Sequence, residues 1–251
     1  MTELDWRQRE RYKRNLLVDG FGPAAQKKLL DSRILVIGLG GLGSPAALYL
    51  AAAGVGTLGL ADGDTVELSN LQRQLLHHHN DIGKAKTASA AEKIASLNGD
   101  INVTCHGRIE DKGSMETLVA GYDFIVDATD NFSSKYLLNE ACVAQEKPFS
   151  HAGISEFGGQ TMTVVPGEGA CYACIFGEPS RAEGLDPSQE GVIGAVAGII
   201  GSIQAAEALK YLTATGELLI DTLLCCNAKT MSFRKIALRR QQNCPVCSGT
   251  I

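Results

Sequence analysis

Four glycines stand within six residues at Gly38-Leu-Gly-Gly-Leu-Gly43, closing an apolar run that begins at Arg33. Ser44 to Ala53 behind them is rich in alanine and reads as a helix. A strand, a glycine turn and a helix in that order make a phosphate cradle. Gly38, Gly40, Gly41 and Gly43 let backbone N–H groups approach an anion at the positive end of the helix. The turn alone serves a dinucleotide oxidoreductase as well as an ATP user, and the residues after it separate the two. Asp62 ends the second apolar run, a little past the place where an acid accepts from ribose hydroxyls, although Asp62-Gly-Asp64 is also ordinary turn chemistry. Asn70, Arg73, Gln74 and Lys86 offer amide donors, a planar cationic fork and a point charge to phosphate oxygens. On a helix, Asn70 would share a face with Arg73 and with Gln74. Asp127-Ala-Thr-Asp130-Asn131 follows an apolar strand whose carboxyl end would face a ligand crevice. Asp130 is the candidate for Mg²⁺, which takes carboxylate and phosphate oxygens, and Asn131 for the cap of the next helix. This set suits a triphosphate with a metal better than a nicotinamide.

The cysteines carry a second chemistry. Of the eight, four form the pairs Cys171-Tyr-Ala-Cys174 and Cys244-Pro-Val-Cys247. Each pair puts two thiolates on one side of a short turn, and two such knuckles complete a tetrahedral zinc site. A zinc there would clasp the C-terminal tail to mid-chain, in a structural rather than a catalytic role. Separate redox pairs or unpaired thiols are the plainer alternatives. Cys105, Cys142, Cys225 and Cys226 lie in apolar surroundings and read as small core residues. His77, His78 and His79 lack metal-ligand spacing on one helix face and read as surface residues. Arg14, within Arg11-Tyr-Lys-Arg14, reads from sequence only as part of a basic, solvated helix.

The elements that must position these groups alternate. Residues 5–30 read as helices broken around Gly20-Phe-Gly-Pro23. Strands follow at 33–37, 57–61, 101–105, 123–127 and 148–151, with helices at 43–53, near 69–76, and at 84–97, 113–120 and 133–145. That rhythm means an α/β fold of Rossmann-like type, a mostly parallel sheet with helices on both faces. Beyond residue 152 the rhythm changes. Strands at 158–165, 217–225 and 230–238 suggest an antiparallel extension, with a loop over 177–191 between them. The 251 residues are expected to form one domain, with N-terminal helices over 1–30, a nucleotide-binding part over 31–150 and a zinc-clasped part over 151–251. The net charge of −5 speaks against a general nucleic-acid binder. The N-terminus has no apolar signal-peptide core, and the longest apolar helical run, Val192 to Ile203, is short of the roughly 20 residues a bilayer needs. A cytoplasmic location without membrane contact is the expectation.

Taken together, Arg11-Tyr-Lys-Arg14, Gly38-Leu-Gly-Gly-Leu-Gly43, Asp62-Gly-Asp-Thr-Val66, Ser69-Asn-Leu-Gln-Arg-Gln74, Lys86, Ala128-Thr-Asp-Asn131, Gly158-Gly-Gln160 and the two cysteine knuckles resemble the MoeB/ThiF/HesA family. These are bacterial relatives of ubiquitin-activating enzymes, and the match spans essentially the whole chain. The resemblance implies a nucleotidyltransferase that adenylates the C-terminal glycine of a small ubiquitin-like sulfur carrier ending in Gly-Gly. A MoaD- or ThiS-like carrier would place it in molybdopterin or thiamine biosynthesis. It further implies that Asp130 holds magnesium, that Arg73 and Lys86 neutralise phosphates, that Asn70 and Gln74 help position them, and that Asp62 holds the ribose. Asp64 and Asn131 belong to the same nucleotide-binding motifs. A homodimer is implied, in which Arg14 reaches the neighbour's ATP site. So is a sulfur donor, such as a cysteine desulfurase or rhodanese, that takes over the activated carrier. The 177–191 loop would border the crevice for the diglycine tail, its plainer reading being a surface excursion. One departure stands out: many members carry a cysteine shortly before the Gly-Val matching Gly191-Val192, and Leu185-Asp-Pro-Ser-Gln-Glu190 has none. Covalent chemistry at that place is therefore not expected. The competing expectations are an NAD-dependent oxidoreductase, an enzyme that activates another carboxylate such as one on a modified tRNA, and a silent scaffold for a ubiquitin-like partner.

Overall fold

Strand β1 (Arg33–Ile37) is buried at its last four positions. Alternation sends Ile34 and Val36 to one face and Leu35 and Ile37 to the other. A strand apolar on both faces has to lie inside a covered, parallel sheet. It pairs in parallel with β2 (Thr57–Ala61) on one side and β4 (Phe124–Asp127) on the other. The structure, a computed structural model, describes residues 3–178 and 191–249. Within them β3 (Asn102–His106), β5 (Phe149–Ser155), β6 (Gly158–Val164), β7 (Thr222–Asn227) and β8 (Ser232–Ala237) complete one sheet, in the order β3-β2-β1-β4-β5-β6-β7-β8. The first five in that order run parallel, and β6, β7 and β8 are joined antiparallel. The expected Rossmann-like sheet with an antiparallel extension is what forms.

Helices cover both faces. On the face of Ile34 and Val36 lie α4 (Gly43–Ala53), α5 (Lys86–Leu97) and α9 (Gly194–Thr213). On the opposite face lie α6 (Lys112–Ala120), α7 (Phe132–Ala144) and α8 (Tyr172–Phe176), together with the four paired cysteines. The apolar run to Ile203 continues, as its sequence suggests, into Gln204, Glu207 and Lys210 within the 20 residues of α9, and the buried Gln204 and Glu207 have partners inside the protein. Gln204 donates to the carbonyls of Asp127 and Ser150, and Glu207 accepts from Thr163 Oγ1 and Leu219 N–H. No helix among the described residues is long and apolar enough to cross a membrane.

At the N-terminus α1 (Trp6–Arg11), α2 (Lys13–Leu16) and α3 (Gly22–Asp31) dock through Tyr12, which is 1% exposed. Its hydroxyl accepts from Asn98 Nδ2 at 3.0 Å, just past α5. Two expected elements differ, the first being the strand expected over 217–225, which is β7 and starts only at Thr222. Residues 69–76 are the second and do not form an α-helix: Leu68–Asn70 is a single 3₁₀ turn and the chain runs on in turns. The cause is local, since the Asn70 side chain accepts from Glu67 N–H at 3.1 Å and so competes with the helical ladder.

Candidate active site

The strand order reverses between β1 and β4, and in an open α/β sheet the ligand crevice lies at the carboxyl ends of the strands at such a point. Two loops enter it, the glycine turn after β1 and Asp127–Asn131 after β4. Gly38 has φ of +91°, and a Cβ there would sit 2.5 Å from the Ala128 carbonyl oxygen. A Cβ at Gly43 would lie 1.9 Å from the carbonyl oxygen of Gly38. These two positions must therefore be glycine for the turn to close against the β4 loop. Helix α4 begins without a side-chain cap, so the amino end facing the crevice can take an anion. Asp62 serves the turn as well. Its Oδ2 accepts from Leu39 N–H at 2.7 Å and its Oδ1 from Asp64 N–H at 2.8 Å.

After Leu68 the chain is drawn together by turns rather than by the expected helix. The Asn70 carbonyl accepts from the N–H groups of both Arg73 and Gln74 at 3.0 Å, drawing the three residues together. Asn70 and Gln74 are buried, and Gln74 Oε1 has no hydrogen-bond partner among the described residues. The Gln74 amide faces Gly40, where a Cβ would come within 3.6 Å of Nε2. Arg73 Nη1 donates to the Ser69 carbonyl at 3.1 Å. Lys86 opens α5 and is only 6% exposed. A buried ammonium needs a counter-charge, and here Asp64 Oδ2 supplies it at 3.0 Å. Asp64 Oδ1 also meets Arg108 at 3.0 Å. The Lys86 hydrogen bond, with help from Arg108, holds the Asp64 carboxyl below the usual carboxylate range.

In the β4 loop the two acids are separated by burial. Asp130 is exposed, with Asn131 Nδ2 at 3.5 Å from its Oδ1. Asn131 caps α7, accepting from Ser134 N–H at 2.8 Å. Asp127 is 1% exposed and lies between Lys135 Nζ at 3.1 Å and His151 Nδ1 at 3.0 Å, with the Thr129 hydroxyl at 2.6 Å. Burial would raise its carboxyl, but the Lys135 charge and the His151 hydrogen bond outweigh that and hold it below the usual range. Asp127 and Thr129 thus form the stiff base from which Asp130 projects. Replacing Lys135 with methionine would leave an unpaired charge in the core and should cost about 3–5 kcal/mol, read as a fall in the urea midpoint at unchanged slope.

The same cluster predicts an acid sensitivity of definite sign. Burial, and then the Lys135 charge, push the His151 imidazole down to about 4 from 6.5. Between those values the unfolded chain binds a proton that the folded chain excludes, so stability falls as pH falls through this window. Asp127 loses its contribution only further down, as pH falls below about 4. Urea midpoints between pH 7.5 and pH 4.5 check this, and His151→Gln should reduce the dependence, leaving the part due to His77 and His106, whose imidazoles burial also lowers.

The four paired cysteines converge under the sheet. Cys171 Sγ lies 3.8 Å from Cys174 Sγ and 3.6 Å from Cys244 Sγ, and Cys174 Sγ lies 3.5 Å from Cys247 Sγ. All four ligand atoms fall within 4.8 Å of one another and all four residues are buried. Four thiolates about 2.3 Å from a tetrahedral Zn²⁺ would stand about 3.8 Å apart, so the donor set and its spacing fit zinc. Burial pushes the Cys174 thiol up to about 11 and raises Cys171 further, so in this pocket thiolates need a cation. At Cys244 burial also acts upward, but the N–H groups of Cys247 and Val246 outweigh it and lower the thiol, as in a knuckle built to present sulfur to a metal.

The structure thus brings Gly38, Gly40, Gly41, Gly43, Asp62, Asp64, Asn70, Arg73, Gln74, Lys86, Asp130 and Asn131 to the loops at one end of the sheet. Arg14 is not among them; it is exposed on α2, which packs on α3. Residues 179–190 of the 177–191 loop, including the cysteine-free segment 185–190, lie outside the described residues. Two expectations are corrected. His77 is not a surface residue but 4% exposed, because the turns after Asn70 carry it inward under the glycine turn. Cys105 is exposed rather than core, since β3 is the edge strand. Sequence reasoning missed Lys135, whose partner Asp127 lies eight residues back across the β4 loop, and His151 and Arg108, whose partners lie 24 and 44 residues away. The one available signal was a lysine and a histidine within otherwise buried segments.

Comparison with known proteins places these features in context. The ThiF family model matches residues 12–246. A SAMP-activating enzyme E1 of Haloferax volcanii is 45% identical over 245 residues, covering 97% of this chain and 90% of that one. The sulfur carrier protein ThiS adenylyltransferase of Escherichia coli is 43% identical over 245 residues, covering 96% and 95%. Other relatives are longer: the chain spans 53% of an adenylyltransferase and sulfurtransferase MOCS3 of Drosophila persimilis, at 41% identity over 95% of its own length. Among solved structures, E. coli MccB with ATP superposes with a TM-score of 0.82 at 25% identity, covering 94% of this chain and 74% of that one.

Proposed function

The chain belongs to the ThiF family, and from that premise we propose that it adenylates the C-terminal glycine carboxylate of a ubiquitin-like sulfur carrier. The observation that carries this reading is the crevice itself. There an uncapped, glycine-lined helix end meets Arg73, the buried Lys86 and the exposed Asp130. The names of the relatives that activate SAMP and ThiS support a carrier substrate, and the ATP-bound MccB structure supports ATP. A nicotinamide enzyme would have no use for a buried lysine and a projecting acid at this place.

In the proposed reaction a carboxylate oxygen of the carrier attacks the α-phosphorus of ATP. The bond from that phosphorus to the bridging oxygen of pyrophosphate breaks, giving an acyl-adenylate and pyrophosphate. Displacement at phosphorus needs positioning and charge neutralisation more than covalent help. Arg73 and Lys86 would neutralise the phosphate oxygens, Lys86 being shared between Asp64 and the substrate. Asn70 and Gln74 would donate to phosphate, the Gln74 amide standing over the glycine turn. The free lone pairs of Asp62, already fixed by Leu39 and Asp64, would accept from the ribose. Asp130 and the phosphates would hold magnesium, whose contribution is to offset charge on the leaving group. Its exposed carboxylate fits a hard, hydrated cation. Zinc at Cys171, Cys174, Cys244 and Cys247 would be structural.

The working unit would be a homodimer, with Arg14 lent to the neighbour's site; its exposed place on the docked N-terminal helices leaves it available for that. The chain would be a single domain, with a nucleotide-binding part over 31–150 and a carrier-binding, zinc-clasped part over 151–251; the one sheet that spans both parts among the described residues supports this. With no cysteine at 185–190, the acyl-adenylate would pass to a separate sulfur donor. The test is ATP–pyrophosphate exchange with ThiS-like and MoaD-like carriers ending in Gly-Gly. Exchange that depends on one carrier is expected and would identify thiamine or molybdopterin biosynthesis. ATP binding without exchange for any carrier would move the reading to a different carboxylate, such as one on a peptide or modified tRNA.

A further inference from the structure

His77 is buried where three segments of the crevice meet. One ring nitrogen, Nε2, lies 3.0 Å from the carbonyl oxygen of Leu39, inside the glycine turn. The other, Nδ1, lies 2.9 Å from Ser89 Oγ, on α5 one turn after Lys86. The backbone N–H of His77 donates to the Gln74 carbonyl at 3.0 Å, joining the ring to the Asn70–Gln74 turn. Directions of donation follow from elementary chemistry. A carbonyl oxygen only accepts, so Nε2 carries the proton, and in a neutral ring Nδ1 then accepts from the Ser89 hydroxyl. Burial lowers the imidazole below its ordinary value, in keeping with a neutral ring. Ser89 is itself oriented, since Lys93 Nζ lies 3.4 Å from its oxygen and pairs with the buried Asp81. Lys93 donates to that oxygen; Asp81, the other acceptor within reach of the Ser89 hydroxyl, is already served by Lys93, Lys84 and the His78 N–H, so the hydroxyl proton is available to His77.

Leu39 is thereby held from both sides, its N–H by Asp62 and its carbonyl by His77 at 3.0 Å, with a longer contact from the Ser44 hydroxyl at 3.5 Å. It is flanked by Gly38 and Gly40, whose freedom would otherwise let the peptide groups of the turn rotate away from an anion. We propose that His77 is a positioning residue that sets the glycine turn for nucleotide binding, with Ser89 holding its ring and through it linking the turn to α5 and Lys86. The inference rests on the ATP reading above and adds to it a residue that touches no substrate.

The test uses the full chain and two substitutions that each keep one contact. Glutamine places an amide nitrogen near Nε2 and keeps the donor to Leu39; asparagine reaches only the Nδ1 position and keeps Ser89. ATP affinity is measured by calorimetry without carrier, alongside KM and kcat in pyrophosphate exchange and the melting temperature. His77→Asn is expected to weaken ATP binding and raise KM about tenfold, the equivalent of one buried hydrogen bond, with kcat changed far less. His77→Gln should remain within about threefold of the unmodified protein, the loss expected if a weaker side-chain contact alone is disturbed. Equal losses in the two variants, or losses that follow the melting temperature, would mean a packing role and overturn the proposal. Unchanged affinity in both would overturn it as well. If either variant fails to fold, His77→Phe, which keeps a ring but removes both contacts, puts the same question: ATP binding weakened about tenfold at an unchanged melting temperature supports the clamp, and unchanged binding refutes it. The unmodified protein is measured first, and failure of that protein to bind ATP would remove the nucleotide reading itself, a result distinct from any pattern among the variants.

Discussion

Asp130→Ala is expected to reduce carrier-dependent pyrophosphate exchange by about 100-fold or more, the scale seen when a preorganised electrostatic partner of the transition state is removed. Stability should hardly change. Asp130 is exposed and weakly engaged, and such substitutions shift stability by about 0.5 kcal/mol or less. The contrast with its neighbour sharpens the test. Asp127, three residues earlier, is buried against Lys135 and His151, so Asp127→Ala should cost stability first and activity as a consequence. Parallel measurements of exchange rate and urea midpoint separate the two acids. An Asp130→Ala protein that keeps more than about a tenth of its exchange activity, well outside the range for such groups, would end the assignment of a metal to this carboxylate.

The second large effect concerns the cysteine cluster. Elemental analysis should find one zinc per chain, and its removal by a strong chelator should destabilise by several kcal/mol, because the binding energy of a structural zinc becomes folding energy. At about 4 kcal/mol, a chain of this size would lose roughly 8–16 °C in melting temperature. Cys244→Ser should do much the same, since it breaks the set at the tail. Cys105→Ser, at an exposed position outside the cluster, should change little. The mechanical reason is the long closure between Cys174 and Cys244, which pins the segment after β8 beneath the sheet, alongside α8. A chelator-treated protein that is metal-free and melts at the original temperature would show the clasp to be unnecessary.

Much of this molecule was legible along the chain because its signals are local. The strand–glycine turn–helix unit over 33–53, the alternation of apolar strands and helices, and the Cys-x-x-Cys knuckles are each read within a dozen residues. The helix expected at 69–76 failed for an equally local reason: the Asn70 side chain bonds the backbone and makes a turn. His77, dismissed as a surface residue, is buried because those turns swing it beneath Leu39. No periodicity in the sequence announces such a change of direction.

What the sequence determined by itself was therefore the set of elements, the sheet type and the chemistry on offer: cations and amides after a glycine turn, acids at the end of an apolar strand, and four paired thiols. Those follow from residue type and short spacing, which fix backbone preference and ligand hardness before any folding. Tertiary structure decided the allocation of charge. It placed Lys86 against Asp64, made Asp127 structural through Lys135 and His151, and left Asp130 exposed, with only the long Asn131 contact at 3.5 Å among the described residues. Three aspartates of identical chemistry received three roles, because burial and the nearest cation set what a carboxylate can do. Both are properties of the packed sheet, fixed only when strands and helices far apart along the chain come together.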